Sequence, residues 1–213
     1  MSEQLPPPPP ENKLPPPPPQ HLERENPIFD LLAQFKSLGL AFINNPWYAL
    51  LAVVELLVRF LTGVPIERFS RITPEVYVSG QYRKKGKEAL TKRGITAVVN
   101  LRTEYDDAAA GIAPPTYLHL KTVDNTPPTI EQLKQGVDFI HDEIQRGGKV
   151  YIHCAAGVGR APTLAAAYFV SRGLSPQEAW AKIKKVRPFI RPTRRQREQL
   201  EAYARQFKPQ SAD

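Results

Sequence analysis

The chain of 213 residues has one cysteine, Cys154, one methionine and four histidines. A single thiol excludes an intrachain disulfide framework and protection by an internal disulfide, and it fits a reducing compartment. No cysteine–histidine cluster at ligand spacing is present, so neither a metal nor a cofactor is expected. The opening Met1-Ser2-Glu3-Gln4 lacks a basic region, so a secretory signal is not expected. The longest apolar stretch falls a little short of the roughly 20 residues of a standard membrane span. Acidic side chains are outnumbered: 29 Lys and Arg against 21 Asp and Glu leave a net charge of +8. That balance favours anionic partners such as phosphate esters, acidic lipid surfaces or nucleic acid.

Proline is plentiful, and residues 1–25 hold two copies of Leu-Pro-Pro-Pro-Pro-Pro, at Leu5–Pro10 and Leu14–Pro19. Such a run adopts polyproline II and cannot join a packed core. It reads either as a ligand for a proline-binding module or as a stiff, disordered tail. Residues 26–63 are hydrophobic instead. Ile28, Leu31, Leu32, Phe35 and Leu38 recur at helical spacing after Asn26-Pro27. A second start at Asn45-Pro46 leads into Trp47–Leu61, with Gly63 as the stop. Tyr48, Glu55, Arg59 and Thr62 form one narrow polar stripe on that second helix. Two readings of this helical hairpin stand: it lies in or dips into a membrane face, or it caps the following domain. The corresponding expectation is a cytoplasmic protein, peripheral on or inserted in a membrane through residues 27–63.

The stretch that organises the chain is Val150-Tyr151-Ile152-His153-Cys154-Ala155-Ala156-Gly157-Val158-Gly159-Arg160-Ala161-Pro162-Thr163. An apolar, β-branched run enters it and an alanine-rich segment leaves it, which reads as buried strand, tight loop and helix. Gly157 and Gly159 let the backbone curl. A loop so curled turns successive amides into one hollow, and the helix aims its positive end there. Pro162 suits the first helical turn. Cys154 at the strand end is then expected to ionise below the usual thiol value of about 8.5. Arg160 can grip two phosphoryl oxygens through its planar fork. The amides of Ala155, Ala156, Gly157, Val158, Gly159 and Arg160 complete a phosphate cradle. Reaction would pass through a phosphocysteine. His153 either tunes the thiolate from behind or finishes the strand with a hydrogen bond.

His153-Cys154-x5-Arg160 resembles the signature of cysteine-dependent phosphatases in the dual-specificity branch of the protein tyrosine phosphatase superfamily. The resemblance spans about Arg71 to Phe207. One position departs from it: that family usually carries Ser or Thr where Ala161 stands. The resemblance implies a general acid on a loop ahead of the helix preceding the signature strand, a place occupied by Asp124 in Thr122-Val123-Asp124-Asn125-Thr126-Pro127. Asp106 and Asp107 compete for the role from an earlier loop. Arg71-Ile72, Glu104-Tyr105 and Thr122-Val123-Asp124 further resemble the mitochondrial phosphatidylglycerophosphate phosphatases and their bacterial relatives. The implied substrate is a phosphomonoester on a phospholipid headgroup or on a phosphoprotein (Tyr, Ser or Thr), with no nucleic acid partner. Two other classes were weighed: a phosphate-binding module of weak turnover, and a rhodanese-like sulfur transferase, against which the x5 spacing and Asp124 argue.

Strands are expected at Val76–Gly80, Ile95–Leu101 and Tyr117–Leu120, and a helix at Lys84–Arg93. Capping boxes are expected at Thr129–Gln132, Ser175–Glu178 and Thr193–Gln196. The fold class is α/β, a central mixed sheet flanked by helices, covering residues 71–208. Arg187 and the basic run Arg191–Arg197 read either as a rim attracting phosphorylated substrate or as a solvated helix start.

Overall fold

The structure, a computed structural model, describes residues 46–206. The proline-rich tail and the first half of the expected hairpin lie outside the described residues. Helix α1, Pro46–Thr62, comes first. It is followed by strand β1 (Val76–Ser79), helix α2 (Lys87–Lys92), strands β2 (Ala97–Arg102) and β3 (Thr116–Thr122), helix α3 (Ile130–Gln145), strand β4 (Val150–His153), and helices α4 (Arg160–Ser171), α5 (Pro176–Val186) and α6 (Arg194–Gln206).

The sheet order is β1-β4-β2-β3. All three pairings are parallel, and the one antiparallel contact is an isolated bridge between Arg71 and Tyr77. The mixed character expected of the sheet is thus confined to that bridge. Parallel neighbours require crossover connections, and these place helices on both faces. The period-2 alternation of the strands sorts the core accordingly. Val76, Val78, Ala97, Val99, Val150 and Ile152 face the cluster built with α3, α4 and Ile183 of α5. Tyr77, Val98 and Tyr151 face a smaller cluster with Leu90 of α2.

Every residue of α4 is buried. Its alanines Ala161, Ala165, Ala166 and Ala167 keep it slim enough for α3, α5 and α6 to surround it. The boxes at Thr129 and Ser175 form with both reciprocal bonds. At the third, Thr193 Oγ1 accepts from Gln196 N and Gln196 Oε1 accepts from Thr193 N. The expected helix at Lys84–Arg93 is divided into a 3-10 turn at Lys84–Gly86 and the short α2.

Helix α1 is turned inside out. Glu55 and Arg59 are buried against the domain, together with Ala49, Ala52 and Leu56. Trp47, Leu50, Val54, Leu57 and Leu61 are exposed, and their spacing of three and four residues makes one continuous outer stripe. Of the four residues of the expected polar stripe, Tyr48 and Thr62 stay exposed.

Candidate active site

Strand β4 lies in the middle of the sheet, and its carboxyl end opens between the ends of β1 and β2. That is where open parallel sheets place ligands. Residues 154–159 curl there and α4 begins at Arg160. The carbonyls of residues 155–159 are turned outward. Ala155 O accepts from Gln81 N at 3.0 Å, and Val158 O accepts from Arg191 N at 2.7 Å. Ala156 O and Gly157 O accept from Arg187 at 2.9 and 2.7 Å. Gly159 O accepts from Thr163 N and its hydroxyl. In a trans peptide the following N–H opposes its carbonyl, so the amides of residues 156–160 face the hollow. Gly157 N donates to Cys154 Sγ at 3.3 Å. Gly157 has φ +69°, and a Cβ there would lie 2.2 Å from the Ser79 carbonyl carbon, so no other residue fits.

Arg160 is held from the far side. Its Nη1 and Nη2 donate to the two carboxylate oxygens of Glu104 at 3.0 and 2.9 Å, and Nη1 also reaches Thr122 O at 2.8 Å. Its Nε has no hydrogen-bond partner among the described residues, a donor left for an incoming oxygen. Burial works to raise the Glu104 pKa, but the hydrogen bond from Arg160 and the charges of Arg102 and Arg160 outweigh it and hold it at about 2. Glu104 was singled out in the sequence only through the resemblance. Its contact with Arg160 crosses 56 positions, which no local pattern shows.

Asp124 comes to the same place: its Oδ1 is 3.0 Å from Arg160 Nη2, and its side chain is 61% exposed. The turn beyond it uses Asn125 at φ 61°, a left-handed position that Asn tolerates. Gln196 and Gln199 of α6 fasten the rest of the loop by donating to Thr126 O and Pro128 O at 2.9 and 3.0 Å. The competing acids lie elsewhere. Asp107 is fully buried, and its Oδ2 sits 2.7 Å from His153 Nε2 while Oδ1 accepts from Gln81. Burial raises its pKa, and the charge and hydrogen bond of His153 lower it further than that. Asp106 binds Tyr117 and Ala108. The expectation that Arg187 belongs to a solvent rim is corrected: it is fully buried and clamps the loop's carbonyls.

A family model described as dual specificity phosphatase, catalytic domain, matches residues 76–206. The chain belongs to the dual specificity phosphatase family. Its domain is a cysteine-dependent phosphatase domain. Human dual specificity protein phosphatase 5 is 31% identical over 135 residues, 61% of this chain but 33% of its own length. Zebrafish (Danio rerio) dual specificity protein phosphatase 22-B is 30% identical over 136 residues, covering 63% of this chain and 73% of its own. Among solved structures, PTPMT1 in complex with PI(5)P superposes with a TM-score of 0.60 at 27% identity, covering 64% of this chain and 94% of that chain. The chain thus spans a third of the length of one of these curated relatives, about three quarters of the other and nearly all of that PTPMT1 chain. Helix α1 precedes the matched residues.

Proposed function

We propose that the protein is a phosphoric monoester hydrolase that removes phosphate from a phospholipid headgroup at a membrane surface. Cys154 attacks phosphorus and Asp124 gives its proton to the departing alkoxide. Water then hydrolyses the phosphocysteine, with Arg160 and the loop amides carrying the equatorial oxygens. His153, held by Asp107, supports the thiolate from behind the loop.

The observation that carries the lipid reading is the outward apolar stripe of α1, a helix that packs on the phosphate loop. Leu51 and Val53 of that helix pack in one cluster with Val158 of the phosphate loop and Phe189. A lipid surface meeting the stripe would bring the cradle to the headgroups. Val123, next to Asp124, adds an exposed apolar side chain. The net charge of +8 suits an anionic surface, and the complex of PTPMT1 with PI(5)P shows a phosphoinositide held by a similar domain. None of the described helices is long and apolar enough to cross a membrane, so the contact proposed is peripheral.

A phosphoprotein substrate is the second reading, favoured by the names of the curated relatives. A substrate panel tests both. Vesicles carrying phosphatidylglycerophosphate or phosphoinositides should be turned over with a higher kcat/KM than phosphotyrosine peptides. The reverse order would move the protein among the protein phosphatases. Tight binding with negligible turnover of every substrate would make it a phosphate-binding module.

A further inference from the structure

Helix α1 lies outside the family's matched domain, yet its two buried charges reach the back of the phosphate loop. The Glu55 side chain is 2% exposed. Its Oε1 accepts from Ser79 Oγ at 2.9 Å and lies 3.3 Å from Arg59 Nε; its Oε2 lies 3.7 Å from Arg187 Nη2. Arg187 has no exposed side-chain surface, and the same guanidinium donates to Gly157 O, Ala156 O and Phe69 O. Arg59 Nη1 donates to Gln81 O at 2.8 Å, and Gln81 N donates to Ala155 O at 3.0 Å. Gly80 has no room for a side chain because its Cβ would lie 2.6 Å from both the Arg59 guanidinium carbon and Ala155 O. Three consecutive loop carbonyls, Ala155 to Gly157, are therefore fixed by groups that α1 touches.

From this geometry we infer that Glu55 is a positioning residue for the phosphate cradle, acting through Arg187 and Ser79, so that α1 is part of the phosphatase site. Within these contacts Glu55 is the one carboxylate facing two buried guanidiniums. Taking its charge away would leave the buried Arg187 without the carboxylate it faces, while the like charge of Arg59 stays close. Arg187 would turn toward another partner, and its two carbonyl contacts would loosen. The orientation of the amides on the opposite side of those peptides depends on the same contacts. The cradle should then bind a phosphoryl group less well in both ground state and transition state.

The inference rests on the chain being a phosphatase, not on its substrate being a lipid. Its test therefore uses the full chain, a soluble aryl phosphate and inorganic phosphate as competitor. Glu55→Gln should weaken inhibition by inorganic phosphate and lower kcat/KM by about tenfold each, a part of what neutralising one partner of a buried ion pair costs. Glu55→Asp, which restores the charge one methylene short, should recover part of both. A folded Glu55→Gln that melts earlier but keeps phosphate inhibition and kcat/KM within twofold would overturn the assignment, because a scaffold role alone moves only the melting. If Glu55→Gln does not fold, Ser79→Ala takes its place. It removes only the hydroxyl on the same carboxylate and should weaken phosphate inhibition about two- to threefold; parental inhibition in that variant would overturn the assignment equally. The vesicle panel failing in favour of phosphopeptides leaves these readouts unaffected.

Discussion

The phosphate loop and helix α1 place charge in opposite ways. In the loop the charged and polar groups converge on one solvent-facing hollow, and the apolar strand leading into it is hidden. In α1 the charges are hidden and one apolar stripe is exposed. The difference is set by what each must satisfy. The loop's outward carbonyls need donors in a place water does not reach, and Arg187 and Gln81 supply them. The buried guanidinium then needs an anion, which Glu55 provides from α1. The buried charges of Arg187 and Glu55 follow from bending a backbone into a cradle.

The comparison breaks most sharply at the loop itself. Cys154→Ser should abolish turnover of every phosphate ester while inorganic phosphate still binds, since the amides and Arg160 remain. Arg160→Lys should also be inactive, because a point charge does not replace a fork held on one side by Glu104. Appreciable hydrolysis by Cys154→Ser would end the cysteine mechanism. Asp124→Asn comes next, with kcat down by roughly 10²–10⁴ on alkyl phosphates and much less on nitrophenyl phosphate, whose leaving group needs no proton. Equal losses on both would assign Asp124 to holding Arg160 instead.

The outer stripe should behave differently. A double change, Leu50→Glu with Leu57→Glu, should cut binding to anionic vesicles by tenfold or more, since each leucine exposes a little under half its surface and would contribute about half of its ~1.5–3 kcal/mol, and leave turnover of a soluble ester as it was. Loss of folding or of solubility in the double variant would show that the stripe packs within the protein instead of on lipid.

Sequence reading reached the loop and stopped short of its supports, and the reason is distance along the chain. Cys154, Gly157, Gly159 and Arg160 lie within one turn, so their spacing alone implies a cradle. Asp124 was legible through the resemblance, which implies an acid on the loop it occupies. Glu104 meets Arg160 across 56 positions, and Asp107 meets His153 across 46. Both look like ordinary residues of a polar loop. Arg187 stands next to a basic run, where the resemblance allowed a rim and the sequence a solvated helix start equally. Only the outward carbonyls of the folded loop create the demand it meets. For α1 the amphipathic pattern was clear, but which face turned inward was not. A narrow polar stripe on a greasy helix suits a membrane or a domain equally until Glu55 and Arg59 find Ser79, Gln81 and Arg187.

A smaller effect probes the link between Arg160 and its support. The Glu104 pKa is held at about 2, below its ordinary 4.5. A depressed carboxylate stabilises the fold fully above the unfolded value and loses that contribution as pH falls from about 4.5 toward 2. The side chain is about a third exposed, which screens the effect. Melting curves followed down this range should therefore decline less steeply in Glu104→Gln than in the parent. Parallel declines would show that other carboxylates, Asp107 among them, dominate the acid limb.

The finest adjustment concerns Ala161, the first residue after Arg160. The Ser or Thr that the resemblance implies at this position would stabilise the thiolate as water attacks the phosphocysteine. A hydrogen bond to the departing sulfur lowers the cost of its developing charge, and alanine cannot donate one. Thr163 does not replace it, since its hydroxyl donates to Gly159 O at 2.8 Å. Gly157 N remains as the donor to Sγ. Attack by Cys154 needs only the cradle, Arg160 and Asp124, so the first step should stay fast while breakdown of the intermediate limits turnover. Rapid mixing should show a burst of alcohol or phenol followed by a slower steady rate. Ala161→Ser should raise that rate about two- to tenfold, the worth of one hydrogen bond, and shrink the burst. Ala161 is fully buried, so the comparison belongs well below the variant's melting temperature. A parental kcat in Ala161→Ser, with no burst in either protein, would mean that an earlier step limits the reaction and that the alanine carries no kinetic cost.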